Sequence, residues 1–186
     1  MLHADDRLTT RRLTLRRFTP DDLDLLQRLH ADARVMRYTG GTRTRHEAAV
    51  LVRERILDYY DQHPGLGIWA TVENSGGACV GLHLLNHIRG EAFIQLGYML
   101  FPDYWGSGYA TEMGIEVLRY GFVDLGLAQI VGITDLSNEA SQRVLLKAGL
   151  KRNGERSFAH PAYAAQGPLA WFERDAADWL LEHQDL

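Results

Sequence analysis

The residue pattern with the clearest chemical potential is a short glycine turn, Gly106-Ser107-Gly108, which follows an apolar run and precedes a helix-like segment. Two glycines spaced by one residue allow a tight turn and leave successive main-chain N–H groups pointing into one hollow. A helix that begins there adds unpaired N–H groups and the positive end of its dipole. Such a corner binds phosphate or diphosphate without a lysine. The alternative is a strand-to-helix turn whose glycines serve only its shape, and the spacing alone does not separate the two.

Two well-known phosphate-binding loops fit this segment less well. A P-loop requires a lysine directly after its second glycine, and no lysine follows Gly106 or Gly108. The dinucleotide-binding fingerprint requires a third glycine where Thr111 stands, and it follows the first strand of a βαβ unit. The glycine turn instead comes after several consecutive predicted strands, so both alternatives are disfavoured.

The elements that must position this turn are predicted from apolar periodicity, helix caps and turn residues. Strands are predicted over residues 11–18, 67–72, 78–85, 92–101, 128–134, 150–158 and 169–172. Helices are predicted from Pro20, from Thr44 to Pro64, over 109–123 and over 138–148, and the segment 173–183 fits either a helix or a frayed strand. This order predicts one α+β (mixed α/β) domain built around a mainly antiparallel sheet.

The segment around the glycine turn resembles a known family. Tyr104-Trp105-Gly106-Ser107-Gly108-Tyr109-Ala110-Thr111-Glu112 is similar to the acetyl-CoA diphosphate loop of the GNAT family of N-acetyltransferases. The family pattern is Gln/Arg-x-x-Gly-x-Gly/Ala, which Gly108 and Ala110 match, with Trp105 at the Gln/Arg position. The upstream run Gln95-Leu96-Gly97-Tyr98-Met99-Leu100 and the downstream run Asn138-Glu139-Ala140-Ser141 also resemble family motifs.

These motifs most resemble the branch of ribosomal-protein N-terminal acetyltransferases, in which a tryptophan is common at the position of Trp105. The resemblance extends over about residues 8–180 and implies a single domain over residues 1–186. It implies a GNAT-type fold, whose central sheet splays open between the strand ending at Leu100 and its parallel neighbour, with helices on both sides. It also implies acetyl-CoA as the cosubstrate and no metal.

The resemblance implies where acetyl-CoA lies. The pantetheine arm pairs with main-chain groups of the splayed strand, and the diphosphate rests on the amides of the glycine turn. The implied cofactor-binding residues are Tyr98, Met99, Leu100, Trp105, Gly106, Ser107, Gly108, Tyr109, Ala110, Thr111, Asn138 and Ser141. Arg143 or Lys147 is expected to meet the 3′-phosphate of CoA.

Acetyl transfer to an amine requires a neutral nucleophile, a polarised thioester carbonyl and a stabilised thiolate leaving group. A main-chain N–H near Met99 or Leu100 is expected to stabilise the developing oxyanion. The Ser141 hydroxyl is expected to donate a proton to the departing sulfur. The candidate catalytic residues are therefore Ser141, Tyr98 and Gln95.

The sequence does not identify the general base. Gln95 stands where relatives often hold a glutamate, and an amide accepts no proton at neutral pH. The substitute bases considered are Glu91, His83, His87, Asp103 and Glu155. The two histidines are more simply explained by cross-strand packing or exposure, and their place in a strand does not match a zinc-binding helix motif.

Composition and charge limit the classes of function. The chain has 186 residues, a formal net charge of −4 and a pI of about 6.0, so no global field attracts nucleic acid or anionic membranes. No apolar run approaches the ~20 residues of a membrane-spanning helix. Cys79 is the only cysteine, which excludes a disulfide within the chain and favours a reducing cytoplasm. The residues Met1 to Asp6 lack the pattern of a secretory signal.

The combined prediction is an enzyme that transfers the acetyl group of acetyl-CoA to a primary amine by direct attack in a ternary complex. The acceptor is a small-molecule amine or a protein N-terminal α-amine, and dimerisation, frequent among relatives, is a further expectation. The alternative is a non-catalytic CoA-binding sensor or scaffold module, which the glutamine at position 95 motivates.

Two groups of arginines in the sequence lead to expectations about the acceptor and about surface charge. Arg34, Arg37, Arg43 and Arg45 are expected to make the acceptor rim basic, which favours acceptors that carry a carboxylate. The pairs Arg11-Arg12 and Arg16-Arg17 are interpreted as solvated charge on a strand.

Overall fold

The computed structural model describes residues 8–183, so the segment Met1 to Asp6 considered above lies outside the described residues. One sheet of seven strands has the order β1-β2-β3-β4-β5-β7-β6. The strands are β1 (Leu13–Arg17), β2 (Gly67–Glu73), β3 (Cys79–His87), β4 (Ile94–Leu100), β5 (Gln129–Asp135), β6 (Lys151–Arg156) and β7 (Leu169–Asp175). Every pairing is antiparallel except that of β4 with β5. The predicted α+β fold with a mainly antiparallel sheet is confirmed.

Helices flank this sheet on both sides. They are α1 (Leu23–Ala31), α2 (Ala33–Met36), α3 (Arg45–Leu51), α4 (Asp58–Gln62), α5 (Tyr109–Arg119), α6 (Glu139–Ala148) and α7 (Ala176–Glu182). A π-helical segment, Val52–Leu57, joins α3 to α4, and a second one, Tyr120–Asp124, continues α5. Short 3-10 turns occupy Pro20–Asp22, Pro102–Tyr104 and Pro161–Tyr163. No helix within residues 8–183 is long and apolar enough to cross a bilayer.

Local signals account for where several elements begin and end. At the start of α3 the Thr44 main-chain N–H donates to Glu47 at 2.7 Å, and the Glu47 N–H donates to the Thr44 hydroxyl at 3.3 Å, which is a capping box. The segment 173–183, predicted as either a helix or a frayed strand, contains the end of a strand and a helix. Strand β7 extends to Asp175, and α7 begins directly after it.

The core lies on both faces of the sheet. On one face α5 and α6 bury Met113, Val117 and Leu145 against the strands. On the other face α1 and the π-helical segment after α3 bury Leu26 and Ile56. Each fully buried aliphatic side chain contributes about 1.5–3 kcal/mol, so the strands are held from two sides.

The parallel pair β4 and β5 forms a gap in this sheet. Gln95 and Val131 are the one pair of residues in register between these strands. Beyond that point the two strands diverge toward Leu100 and Asp135. The open end of the gap therefore lies at the C-terminal ends of both strands, beside the starts of α5 and α6.

Candidate active site

A cleft of about 1170 Å³ fills the gap between β4 and β5. Its walls are the diverging strands, and residues of the glycine turn and of the starts of α5 and α6 line one end. The opposite end is lined by residues of the segment around α2, of the turn after β3 and of the loop before β7. The cleft thus has one end rich in helix N–H groups and one end made of loops.

The glycine turn has the conformation that its spacing predicted. Gly106 has a φ of +77° and Gly108, the N-cap of α5, has a φ of +80°. A Cβ atom at Gly106 would meet no atom within 4 Å, so the requirement for glycine there comes from the backbone angle and not from lack of space. Of residues 105–111, all but Ser107 line the cleft.

Arg12, the residue directly before β1, contacts the glycine turn on the side away from the cleft. Its Nη1 donates to the Ser107 carbonyl at 3.0 Å, and its Nε donates to Glu112 at 2.6 Å. Its guanidinium lies over the Tyr109 ring at 4.5 Å. Burial works against ionisation of Glu112, yet hydrogen bonds from Thr10 and Arg12 hold the pKa of this carboxyl below its usual value. Arg12 directs the Ser107 carbonyl toward β1.

The interpretation of both arginine pairs as solvated charge is therefore wrong in part. Arg12 takes part in the network described above, and Arg16 forms a bidentate ion pair with Asp22 at 2.7 and 2.8 Å. Arg11 and Arg17 are exposed. The partners of Arg12 and Arg16 lie in other elements, and the alternation of residues along a strand does not reveal them.

The outer edge of β4 presents main-chain groups to the cleft. The Phe101 N–H donates to the Val80 carbonyl at 2.9 Å, and Met99 lies opposite Leu82, so the Met99 main chain faces β3. The main chains of Tyr98 and Leu100 face the gap by the same alternation. This corrects the expected main-chain role of Met99, although Met99 does line the cleft.

The Trp105 side chain is hydrogen-bonded to one of the main-chain groups of β4 that face the gap. Its indole Nε1 donates to the Leu100 carbonyl at 2.9 Å, while half of the residue's surface remains exposed. The Leu100 N–H is therefore the group at this position that can still meet a ligand. The tryptophan fixes the way in which the chain leaves β4.

The start of α6 brings two predicted residues together with Tyr98. The Asn138 side-chain oxygen caps the helix by accepting from the Ser141 N–H at 3.1 Å, which leaves its amide NH₂ group to donate elsewhere. The Tyr98 phenol and the Ser141 side chain both line the cleft and lie near each other. Burial raises the pKa of Tyr98, and the interaction with the nearby Ser141 side chain opposes that rise.

Gln95 lies at the closed end of the gap, where β4 and β5 are in register. Its amide Nε2 donates to Asn86 at 3.3 Å. A neutral amide pair therefore occupies the position that the resemblance associates with a base.

The two histidines considered as bases lie outside the cleft. His83 is fully buried, with hydrogen bonds to Thr71 at 2.7 Å and to the Ala110 carbonyl at 3.4 Å, and burial lowers its pKa to about 4. The cross-strand packing expected for it is confirmed. His87 bonds to the Tyr59 hydroxyl at 2.7 Å, and its pKa is lowered by burial and by the neighbouring His63 and Arg55.

The three carboxylates considered as bases, Glu91, Asp103 and Glu155, are exposed, and like the histidines they do not line the cleft. The carboxylates that do line it are Asp135 and Glu139, near the start of α6. The first accepts hydrogen bonds from a neighbouring serine, and the second pairs with an arginine of the same helix. The structure supports none of the five substitute bases.

Arginines line the opposite end of the cleft. Three of the four residues expected there are present, namely Arg34, Arg37 and Arg43. Arg45 is not a lining residue and pairs with Asp24 at the surface. Arg89 also lines this end, and sequence reasoning missed it because its position in the turn after β3 carries no pattern of its own. At the other end, Arg143 and Lys147 of α6 line the cleft. Among residues 8–183 no three metal-ligating side chains lie close enough to hold an ion.

Comparison with known proteins relates this geometry to a function. The acetyltransferase (GNAT) domain family matches residues 12–151. The uncharacterized N-acetyltransferase YoaA of Bacillus subtilis is 32% identical over 79% of this chain and 84% of its own length. The spermidine N(1)-acetyltransferase of Escherichia coli is 29% identical over 76% of this chain and 74% of its own length. A crystal structure of spermidine N-acetyltransferase from Vibrio cholerae in complex with CoA and spermine superposes with a TM-score of 0.70 at 17% identity, over 90% of this chain and 98% of that one.

Proposed function

The chain belongs to the acetyltransferase (GNAT) family, and on that premise we propose that it transfers the acetyl group of acetyl-CoA directly to a primary amine held beside it in one ternary complex. It is an acetyl-CoA-dependent N-acetyltransferase. The observation that carries the proposal is the cleft between β4 and β5, with helix N–H groups at its open end and the Tyr98–Ser141 pair across it.

The residues at the open end suit a diphosphate. The main-chain N–H groups of Gly106 and of residues 108–111 stand at the start of α5, where the helix dipole favours an anion. The Ser107 carbonyl would not meet the diphosphate, because its hydrogen bond from Arg12 turns that oxygen away from the ligand. Arg143 and Lys147 are the cations of α6 that would meet the 3′-phosphate of CoA.

The edge of β4 suits the pantetheine arm. The Leu100 N–H and the Tyr98 carbonyl face the gap and would bind the amides of the arm as a further strand does. The Asn138 amide NH₂, which the helix cap leaves unused, would donate to the same arm. Met99 contributes its side chain to the wall and not its main chain.

The Tyr98–Ser141 pair is placed to protonate the leaving thiolate. Ser141 would donate its proton to the sulfur, and the nearby Tyr98 phenol would return a proton to Ser141. The Tyr98 N–H, which lies nearer the closed end of the gap, would stabilise the negative charge that develops on the thioester oxygen, an effect of about 3–4 kcal/mol in other enzymes. Holding both reactants in one cleft supplies much of the remaining acceleration.

The amine must lose a proton without a carboxylate at the closed end of the cleft. Gln95 and Asn86 form a neutral pair that orients a water or the amine but accepts no proton. We infer that the amine enters in its neutral form and passes a proton to water after attack. An α-amine, with a pKa of about 8, meets this requirement more readily than an alkyl amine at about 10.

Two acceptor classes follow. A protein N-terminal α-amine is supported by the resemblance of the 104–112 segment to the ribosomal-protein branch and by the pKa argument above. A polyamine such as spermidine is supported by the relative named for that activity.

The test is thiol release from acetyl-CoA across a panel of amines and N-terminal peptides, with the acetylated product identified by mass spectrometry. We expect release with at least one acceptor and strongly reduced release for Asn138→Ala. Binding of CoA in a calorimeter without release on any acceptor would instead favour a CoA-binding sensor module. A lack of CoA binding would contradict the proposal as a whole.

A further inference from the structure

We propose that the acceptor carries a carboxylate a few bonds from its amine, and that Arg43 and Arg89 bind this carboxylate at the loop end of the cleft. The inference rests on the proposed function, because it names the acceptor class of the same acetyl transfer. It conflicts with a polyamine acceptor, so the two can be separated by experiment.

Arg89 is a half-buried cation without an anionic partner. It lies two residues beyond the end of β3, and the Tyr163 phenol of the loop before β7 lies near its main chain. Arg89 lines the cleft, and its guanidinium makes no hydrogen bond or ion pair with any residue in the described range 8–183. Its donors therefore remain available to a ligand in the cleft.

Arg43 is in the same situation. Its main chain is anchored to α1, because its N–H donates to the His30 carbonyl at 3.0 Å and its carbonyl accepts from Gln27 at 3.3 Å. Its side chain lines the cleft, and its Nε is buried with no hydrogen-bond partner among the described residues. A buried donor of this kind is costly unless a ligand satisfies it.

The neighbouring arginines differ in having partners. Arg34 forms an ion pair with Asp32 at 2.7 Å, and Arg45 pairs with Asp24 outside the cleft. Arg37 lies over the Tyr38 ring at 5.2 Å. Among the described residues, Arg43 and Arg89 are therefore the lining arginines of this end that have neither an ion pair nor a ring contact.

The two free arginines also repel each other. The pKa of Arg89 is lowered by burial and then by the positive charges of Arg55 and Arg43, while Tyr163 and Glu54 act weakly in the opposite direction. Glu54 is exposed and forms no ion pair with it, and Glu47 is engaged in the cap of α3. An anion between Arg43 and Arg89 would offset this repulsion.

A carboxylate fits such a site better than a polyamine does. The planar guanidinium presents two parallel N–H donors, which match the two oxygens of a carboxylate. The extra ammonium groups of spermidine would instead meet two uncompensated cations. The carboxylate can come from a small amino acid or from an acidic side chain near the N-terminus of a peptide, and the two sources share this chemistry.

The experiment compares acceptors that differ only in charge. The first pair is γ-aminobutyrate and its amide. The second pair is a peptide with glutamate in second position and the same peptide with glutamine there. Spermidine serves as the cationic acceptor. The enzymes are the wild type, Arg43→Gln, Arg89→Gln and, as the matched control, Arg45→Gln, whose arginine lies outside the cleft. The affinity for CoA is measured for each variant to show that the cofactor end is intact.

We expect kcat/KM for a carboxylate acceptor to exceed that for its amide by about tenfold or more, the size of a hydrogen-bonded charge pair. Arg43→Gln and Arg89→Gln should remove most of this ratio through KM, and Arg45→Gln should keep it. A ratio near one in the wild type, or spermidine as the better acceptor, would overturn the inference. The peptide pair and the γ-aminobutyrate pair show which source is used.

A separate readout distinguishes failure of the inference from failure of the proposed function. Binding of γ-aminobutyrate and of its amide to the CoA-loaded protein is measured by calorimetry, which needs no turnover. Preference for the carboxylate that Arg89→Gln abolishes would support the inference even if no acceptor were acetylated. Equal binding of both would overturn it even if transfer occurred.

Discussion

At the residue scale, the proposed proton transfer depends on two hydroxyl groups on opposite walls of the cleft. Tyr98 belongs to β4 and Ser141 to α6, and their side chains lie near each other in the cleft. Burial raises the pKa of the phenol, so Tyr98 stays protonated at neutral pH and acts as a donor. The pair can therefore pass a proton outward to a thiolate without a charged acid in the cleft.

Removing either hydroxyl should slow the chemical step. We expect Ser141→Ala and Tyr98→Phe each to lower kcat by about a hundredfold, because general acid catalysis contributes that much in other enzymes. The double variant should be little slower than the slower single one, since the two groups act as a unit. Steady-state thiol release gives kcat, with Ser157→Ala as an exposed-serine control. Full activity in Tyr98→Phe would contradict a relay through the phenol.

The pH dependence should follow the acceptor and not the enzyme. His83 has a pKa of about 4 and stays neutral at neutral pH, and Gln95 does not titrate. We therefore expect kcat/KM to rise with pH up to the pKa of the acceptor, about 8 for an α-amine and about 10 for an alkyl amine. Rate profiles with one acceptor of each kind test this. A common midpoint below pH 7 for both acceptors would reveal an enzyme base.

How far the sequence predicts single residues depends on where their partners lie. Asn138 and Ser141 could be paired from sequence because a helix cap connects residues three positions apart. Arg12 could not be assigned, because its partner Glu112 is 100 positions away. Arg89 was missed for a similar reason, since its role depends on Arg43 and on a loop later in the chain.

At the scale of elements, the segment that leads into β1 supports the start of α5. Arg12 binds the Ser107 carbonyl and Glu112 together, and thus fixes the turn between β4 and the helix. The contact orients the carbonyl away from the cleft, which leaves the amides to face it.

Loss of this contact should weaken CoA binding. For Arg12→Gln we expect the Kd for CoA to rise about tenfold, because the turn loses a charge-assisted hydrogen bond that preorganises it. Arg11→Gln, at the neighbouring exposed position, should leave the Kd unchanged. Isothermal titration with CoA measures both. An unchanged Kd in Arg12→Gln would show that the turn holds its shape without the Arg12 contact.

The glycine turn should also contribute to stability through its backbone. Gly108 has a φ of +80°, so Gly108→Ala should lower the free energy of unfolding by about 1–2 kcal/mol. Gly76 is a suitable control, because a Cβ there meets no atom within 4 Å and the residue has no positive φ. Urea denaturation of both variants gives the comparison. Equal stability of Gly108→Ala and Gly76→Ala would contradict the expectation that the positive φ at position 108 requires glycine.

Elements were predictable where their ends carry local signals. The Thr44–Glu47 capping box and the two glycines before α5 each specify a helix start within a few residues. The alternation of residues did not reveal which main-chain groups of β4 face the gap. That depends on the register with β3, which placed Met99 against Leu82.

At the scale of the whole molecule, the order of the strands creates the site. Six pairings join the seven strands of the open sheet, and the parallel pair β4 and β5 is in register at Gln95 and Val131 before the strands diverge. Composition indicated an acidic chain, yet the structure gathers arginines at one end of the cleft. Net charge therefore says little about the field that an acceptor meets there.

The central claim is that the amides at the start of α5 bind the diphosphate of acetyl-CoA while the edge of β4 binds its pantetheine arm. A crystal structure of the protein grown with acetyl-CoA tests this most directly. We predict diphosphate oxygens within about 3 Å of the N–H groups of Gly108 to Thr111, and hydrogen bonds from the arm to Tyr98 and Leu100. A diphosphate bound elsewhere, or an arm that does not enter the gap between β4 and β5, would contradict it.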